Sequence, residues 1–321
     1  MHFGAQDVVL LGLLLAMGLV LAFLAVTAYT AWMLTHPYRR TYASAVSKGR
    51  AGEPGELRRA DGQPRAFTSW DLTWGGLKLP VWDVVGDDPS GPVFVLSHGW
   101  GDSRIGGLSR IEHLAPVVSR LVLWDMPGHG EAPGRCSLGM REVGALRALI
   151  EQVGAPVVLY GWSLGAGVSI AAAVEQESRR GAAGYPAGHP VAVVAEAPYC
   201  VPLMPARNVI SSWGLPWRGV LPLALKLIGA KFDRAAQARQ LSCPLLVIHG
   251  EQDEVCPVAD GEAIAGAARD GTLVVIPEAG HHGLWTTPEY AERCRGAVAE
   301  FVGKLKTVEA LNSGHAQQSH S

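Results

Sequence analysis

The chain has 321 residues, 48% hydrophobic and 17% charged, with a formal net charge of −2. That balance supplies no basic field for binding nucleic acid. The five cysteines (136, 200, 243, 256 and 294) are odd in number and far apart, and they form neither a Cys-x-x-Cys pair nor a zinc spacing. This speaks against a disulfide scaffold and for free thiols in a reducing compartment.

The first element is an uncharged apolar run from Val8 to Thr35. About 20 residues at about 1.5 Å each cross a bilayer core, so the run can span one with some tilt. A cleaved signal peptide would have a basic start and a shorter apolar core. Here the start, Met1 to Asp7, contains no Lys or Arg. Residues 1–36 are therefore expected to be a retained transmembrane anchor that meets the membrane through residues 8–35. Gly18 and Ala22 make a small-xxx-small pair, a weak dimer signal in so alanine-rich a segment. Arg39, Arg40, Lys48 and Arg50 follow the span and no basic residue precedes it. The positive-inside rule then predicts a single-pass protein with its C-terminal bulk on the cytoplasmic side.

Residues 37–66 carry Pro37, Pro54 and Pro64, and seven basic against three acidic residues, a net +4. They read as a basic flexible linker, drawn to anionic lipid by about 1 kcal/mol per basic residue at best. From 67 to 306 the pattern is that of one globular domain. Phe67–Trp74 and Lys78–Val85 alternate around Gly75-Gly76 and predict an antiparallel hairpin. Six continuous apolar runs predict strands covered on both faces: Pro92–Ser97, Leu121–Trp124, Val157–Tyr160, Val191–Ala195, Leu245–Ile248 and Leu273–Ile276. Helical stretches alternate with them near Ile105–Val118, Leu138–Val153, Leu164–Arg179, Ala259–Ala268 and Pro288–Lys306. Strands alternating with helices imply a mostly parallel, eight-stranded sheet with helices on both faces. Residues 199–232 break the alternation, with Pro202, Pro205, Trp213, Pro216, Trp217, Pro222 and many Leu. They are either a short apolar cap over the strand ends or an ordinary crossover helix. The tail, 307–321, is expected to be disordered.

Chemistry concentrates at residues 155–168. An apolar strand runs into Gly161-Trp162-Ser163-Leu164-Gly165 and then into an Ala-rich helix. A serine on so tight a turn sits in strained backbone geometry, and the glycines let neighbouring chain approach. Its hydroxyl then stands at the positive end of the helix, where a developing oxyanion is stabilised. This is the layout of a nucleophile elbow, although a small-residue turn before a packed helix would also use these residues. A serine needs a base, and the base needs a carboxylate to hold its tautomer. Two strand ends offer these groups: His249-Gly250-Glu251-Gln252-Asp253-Glu254-Val255-Cys256-Pro257 and Pro277-Glu278-Ala279-Gly280-His281-His282.

Over residues 78–306 the chain resembles the α/β-hydrolase-fold serine hydrolases. His98-Gly99-Trp100-Gly101 is similar to the family's oxyanion loop. Asp125-Met126-Pro127-Gly128-His129-Gly130 matches its Asp-x-x-Gly-x-Gly, and Gly161–Gly165 its elbow. The segments 249–257 and 280–281 resemble its acid and histidine loops. The resemblance implies an α/β-hydrolase fold with Ser163 as nucleophile, Asp253 as orienting acid and His281 as base, and with the Trp100 and Leu164 amides as oxyanion hole. Glu251 and Glu254 compete with Asp253, and His282 with His281. His98, His129 and His249 are read as structural. No metal-ligand or phosphate-loop pattern occurs, so neither a metal nor a cofactor is expected. The activity implied is cleavage of carboxylic esters or thioesters, with a small-molecule or lipid ester bearing a hydrophobic acyl group as substrate. Acyl transfer or peptidase activity on the same three residues, and a non-catalytic membrane scaffold, remain as alternatives.

Overall fold

The computed structural model describes residues 4–179, 186–212, 214 and 218–318. Its centre is an eight-stranded sheet in the order β1-β2-β4-β3-β5-β6-β7-β8. Strands β1 (Phe67–Trp74) and β2 (Leu77–Val85) form the expected antiparallel hairpin. Gly75 and Gly76 both take positive φ, 55° and 77°, as a two-residue turn matched to strand twist requires. β2 also runs antiparallel to β4 (Arg120–Trp124). β4 then runs parallel with β3 (Val93–Ser97), β5 (Pro156–Trp162), β6 (His189–Glu196), β7 (Leu245–Gly250) and β8 (Gly271–Ile276).

Each central strand is apolar on both sides because helices cover both faces. Val157, Leu159, Val193 and Val247 face a core shared with α4 (Glu142–Val153) and α5 (Leu164–Glu177). Val158, Tyr160, Val194 and Ile248, one residue along in each strand, face a second core with α3 (Leu108–Leu114) and α10 (Pro288–Gln318). Because these strands run parallel, their C-terminal ends lie at one edge, where the loops emerge.

Helix α1 spans Ala5–Thr35. At about 1.5 Å per residue it is about 46 Å long. It is long and apolar enough to cross a membrane. Residues 8–24 are exposed, whereas Thr27, Thr30 and Leu34 are buried. Its C-terminal part packs beside α7 (Val220–Ile228).

Three segments differ from expectation. Residues 37–66 lie against the domain rather than apart from it, and they include α2 (Tyr42–Val46) and a turn of 3₁₀ helix at Pro54–Glu56. Arg39 donates to the Ala132 carbonyl at 2.9 Å, Arg40 pairs with Asp102 at 3.1 Å and Arg65 with Asp87 at 3.1 Å. Basic residues that composition assigned to a free tether thus find partners far away in sequence. The tail expected to be disordered continues α10 as far as Gln318. Residues 308–311, Val-Glu-Ala-Leu, contain no helix breaker. Positions 319–321 lie outside the described residues. Within 199–232 the chain forms α6 (Leu203–Ser212) and α7, and the crossover to β7 is completed by a separate helix, α8 (Arg234–Ala238), against α5 and α9 (Val258–Ala267). Helices α6 and α7 thus lie between β6 and that crossover helix. Trp213, Pro216 and Trp217 lie outside the described residues.

Candidate active site

β5 ends at Trp162 and α5 begins at Leu164, so Ser163 alone makes the turn, at φ 53° and ψ −115°. A non-glycine residue held there costs about 1–3 kcal/mol. The turn is pinned by the Ser163 amide, which donates to the Glu196 carbonyl at 2.8 Å. The flanking glycines are sterically required. A Cβ on Gly161 would meet the Gly165 carbonyl oxygen at 2.2 Å, and one on Gly165 would meet the Ser97 carbonyl oxygen at 2.0 Å.

The loops after β7 and β8 bring the other two residues together. Asp253 Oδ1 accepts from the Val255 and Cys256 amides at 2.8 and 2.7 Å. Its Oδ2 lies 2.7 Å from His281 Nδ1 and 3.4 Å from His249 Nε2. Burial by itself would raise the Asp253 pKa. Hydrogen bonds from His249 and His281, the His281 charge and the Cys256 amide outweigh burial and hold the carboxyl well below the usual carboxylate range. Glu251 and Glu254, the rival acids, are exposed. His282 is exposed too and stacks edge-on against His281, with ring centroids 5.1 Å apart.

The Ser163 hydroxyl lies beside the Cys256 thiol, near enough to oppose the effect of burial on its pKa. Polar atoms of Cys256, Asp253 and His281 lie within 4.8 Å of one another. Serine, thiol, imidazole and carboxylate therefore share one spot above the sheet edge. No direct hydrogen bond joins Ser163 to His281 among the described residues. Cys256, Asp253 and His281 also have the spacing of a metal-ligand group, but they fit one poorly. The carboxylate and imidazole are already bonded to each other, and burial raises the thiol pKa well above its usual value, against the thiolate a metal needs.

The loop after β3 lies alongside. A Cβ on Gly99 would come within 3.4 Å of the Ser163 Cβ. Trp100 follows Gly99 in that loop, and Leu164 opens α5. His98, His129 and His249 are buried and bonded to nearby backbone, as expected of structural histidines. His98 Nδ1 lies 2.8 Å from the Gly99 oxygen, and its Nε2 accepts from the Met126 amide at 2.9 Å. His129 lies 3.2 Å from the Pro127 oxygen and His249 2.8 Å from the Cys256 oxygen.

Beside Trp100 and Leu164 opens a small apolar cleft, lined also by Leu34, Tyr199, Pro202, Pro205 and Val209. Three residues of this region went unread in the sequence. Cys256 lies beside the serine. Leu34, from α1, lines the cleft. Glu196 carries the carbonyl that pins Ser163, and its buried carboxylate pairs with Arg110 at 2.5 Å and accepts from Tyr160 at 2.5 Å and Trp285 at 2.9 Å. Only Glu196 left a trace in the sequence, as a charge closing an otherwise apolar strand.

A family model described as the alpha/beta hydrolase family matches residues 93–294. The chain is 30% identical over 254 residues to a biotin biosynthesis bifunctional protein of Cellvibrio japonicus, covering 67% of this chain and 48% of that protein. It is 28% identical over 242 residues to a lysophosphatidylserine lipase of Rattus norvegicus, covering 66% of this chain and 56% of that protein. The chain thus spans about half the length of these two relatives. An esterase of Pyrococcus furiosus superposes with a TM-score of 0.59 at 19% identity, covering 75% of this chain and 91% of that one. At that identity the likeness concerns the fold.

Proposed function

This chain belongs to the alpha/beta hydrolase family, and on that footing we propose that it is a membrane-anchored serine hydrolase of carboxylic esters or thioesters with a hydrophobic acyl group. The observation that carries the reading is the His281–Asp253 pair at 2.7 Å beside a serine held at positive φ. Ser163 Oγ attacks the acyl carbonyl while His281 Nε2 takes its proton. Asp253 holds Nδ1 protonated and stabilises the imidazolium. The amides of Trp100 and Leu164 receive the oxyanion, each such donor being worth about 2.7–4 kcal/mol of barrier. The imidazolium then returns the proton to the leaving alcohol or thiol, and an acyl-enzyme remains. Water, activated by the same imidazole, releases the acid and restores the serine. Catalytic hydrogen bonds commonly tighten only with substrate bound, and the same is expected of the bond between Ser163 and His281.

Helix α1 supports residues 1–36 as the anchor, ahead of a basic segment at 37–66 and the hydrolase domain at 67–306. The basic residues after the span support a cytoplasmic domain. Likeness to a lysophosphatidylserine lipase and the apolar cleft support a lipid ester as substrate. The test is hydrolysis of a short-chain p-nitrophenyl ester and labelling by a fluorophosphonate probe. Both are expected to vanish in Ser163→Ala, and wild-type turnover by that variant would refute the assignment.

A further inference from the structure

The end of the membrane helix is built into the catalytic domain. A helix leaves its last carbonyls without partners inside the helix. Two of those of α1 are taken up by the domain. The Trp100 indole N–H donates to the Leu34 carbonyl at 2.9 Å, and the Cys136 amide to the Thr35 carbonyl at 2.9 Å. The Leu34 side chain is 3% exposed, and it lines the same cleft as Trp100 and Leu164. Further lining comes from α6, through Pro205 and Val209. One residue of the anchor therefore lines the same cleft as the two residues whose amides are assigned to the oxyanion, and its backbone is tied to one of them.

We propose that Leu34 is a specificity-determining residue: the membrane helix supplies one wall of the acyl pocket, and the bulk of this side chain sets how long an acyl chain the pocket accepts. The inference rests on the serine-hydrolase reading above. An apolar pocket discriminates by about 10–200-fold per methylene gained or lost. A change of one residue's bulk is therefore large enough to read in the chain-length profile.

The experiment uses the full chain in detergent micelles and p-nitrophenyl butyrate, octanoate, dodecanoate and palmitate. Leu34→Trp narrows the cleft and is expected to lower the dodecanoate-to-butyrate ratio of kcat/KM about tenfold. Leu34→Val, a packing-conservative change, is expected to raise that ratio a few-fold. Leu19→Trp on the same helix, at a position 73% exposed, is expected to keep the wild-type ratio. Fluorophosphonate labelling reports which variants are folded, so Leu34→Val carries the test if Leu34→Trp fails to label. Labelled Leu34 variants with the wild-type ratio would overturn this inference and leave the serine-hydrolase reading standing. A wild-type protein whose labelling does not depend on Ser163 would remove both.

Discussion

His281 holds its Nδ1 2.7 Å from an oxygen of Asp253 whose side chain has no solvent exposure. The bond fixes the imidazole with Nδ1 protonated and Nε2 free to accept. Asp253→Asn keeps the shape and inverts that preference, since an amide can donate to Nδ1. The expected result is a fall in kcat of about four orders of magnitude with little change in KM. Steady-state hydrolysis of p-nitrophenyl butyrate measures it, and a loss below tenfold would exclude Asp253 as the orienting acid.

The same carboxylate makes stability depend on pH. Its pKa is depressed in the folded protein, so folding is favoured by the ionised form. That contribution is complete above the unfolded-state pKa of about 3.9 and is lost as pH falls through it toward the lower folded value. Thermal denaturation from neutral pH downward is expected to show a constant gap between wild type and Asp253→Asn until about pH 4, then a narrowing gap. A gap that widens on acidification would contradict the assignment.

Glu196 is the centre of a buried polar cluster. Arg110, Tyr160 and Trp285 all donate to its carboxylate. Glu196→Ala leaves the Arg110 charge in the core without its partner. The expected loss is about 3–5 kcal/mol of stability, read as a lowered denaturation midpoint. A change under about 1 kcal/mol, the size of a surface pair, would mean that water reaches the cluster.

Gly165 sits where backbone crosses backbone. An added methyl would meet the Ser97 and His98 carbonyl oxygens at 2.0 and 2.6 Å, and neither belongs to a side chain that can turn away. Gly165→Ala is expected to push the elbow out of place and to slow fluorophosphonate labelling of Ser163 by about a hundredfold, the effect of roughly 1 Å of misplacement. Labelling at the wild-type rate would show that the turn tolerates the shift.

Much of this architecture was legible in the sequence because it is written in local patterns. The apolar runs of the central strands have no polar face, and the sheet buries both sides of Val157–Tyr160 as such a run demands. Ser163, Asp253 and His281 each follow a strand, and a parallel sheet delivers strand ends to one edge. What stayed hidden depends on partners remote in sequence. Arg39 and Arg65 read as tether charges until the Ala132 carbonyl and Asp87 are placed beside them. Leu34 is one apolar residue among many in α1, and nothing local separates the one that lines the cleft from those that face outward. Cys256 gave no pattern, since its nearness to Ser163 brings together positions 93 apart in the chain.

Bonding of the Leu34 and Thr35 carbonyls into the domain also has a mechanical consequence. With no swivel at that junction, rod and body tip together. On the membrane-anchored reading proposed above, a bilayer thinner than the hydrophobic length of α1 makes the rod lean to keep its apolar surface covered, and the cleft's height above the leaflet changes with the lean. Turnover on a fixed lipid ester should then vary with the tail length of the surrounding host lipid, as it would not for a body hung on a slack string.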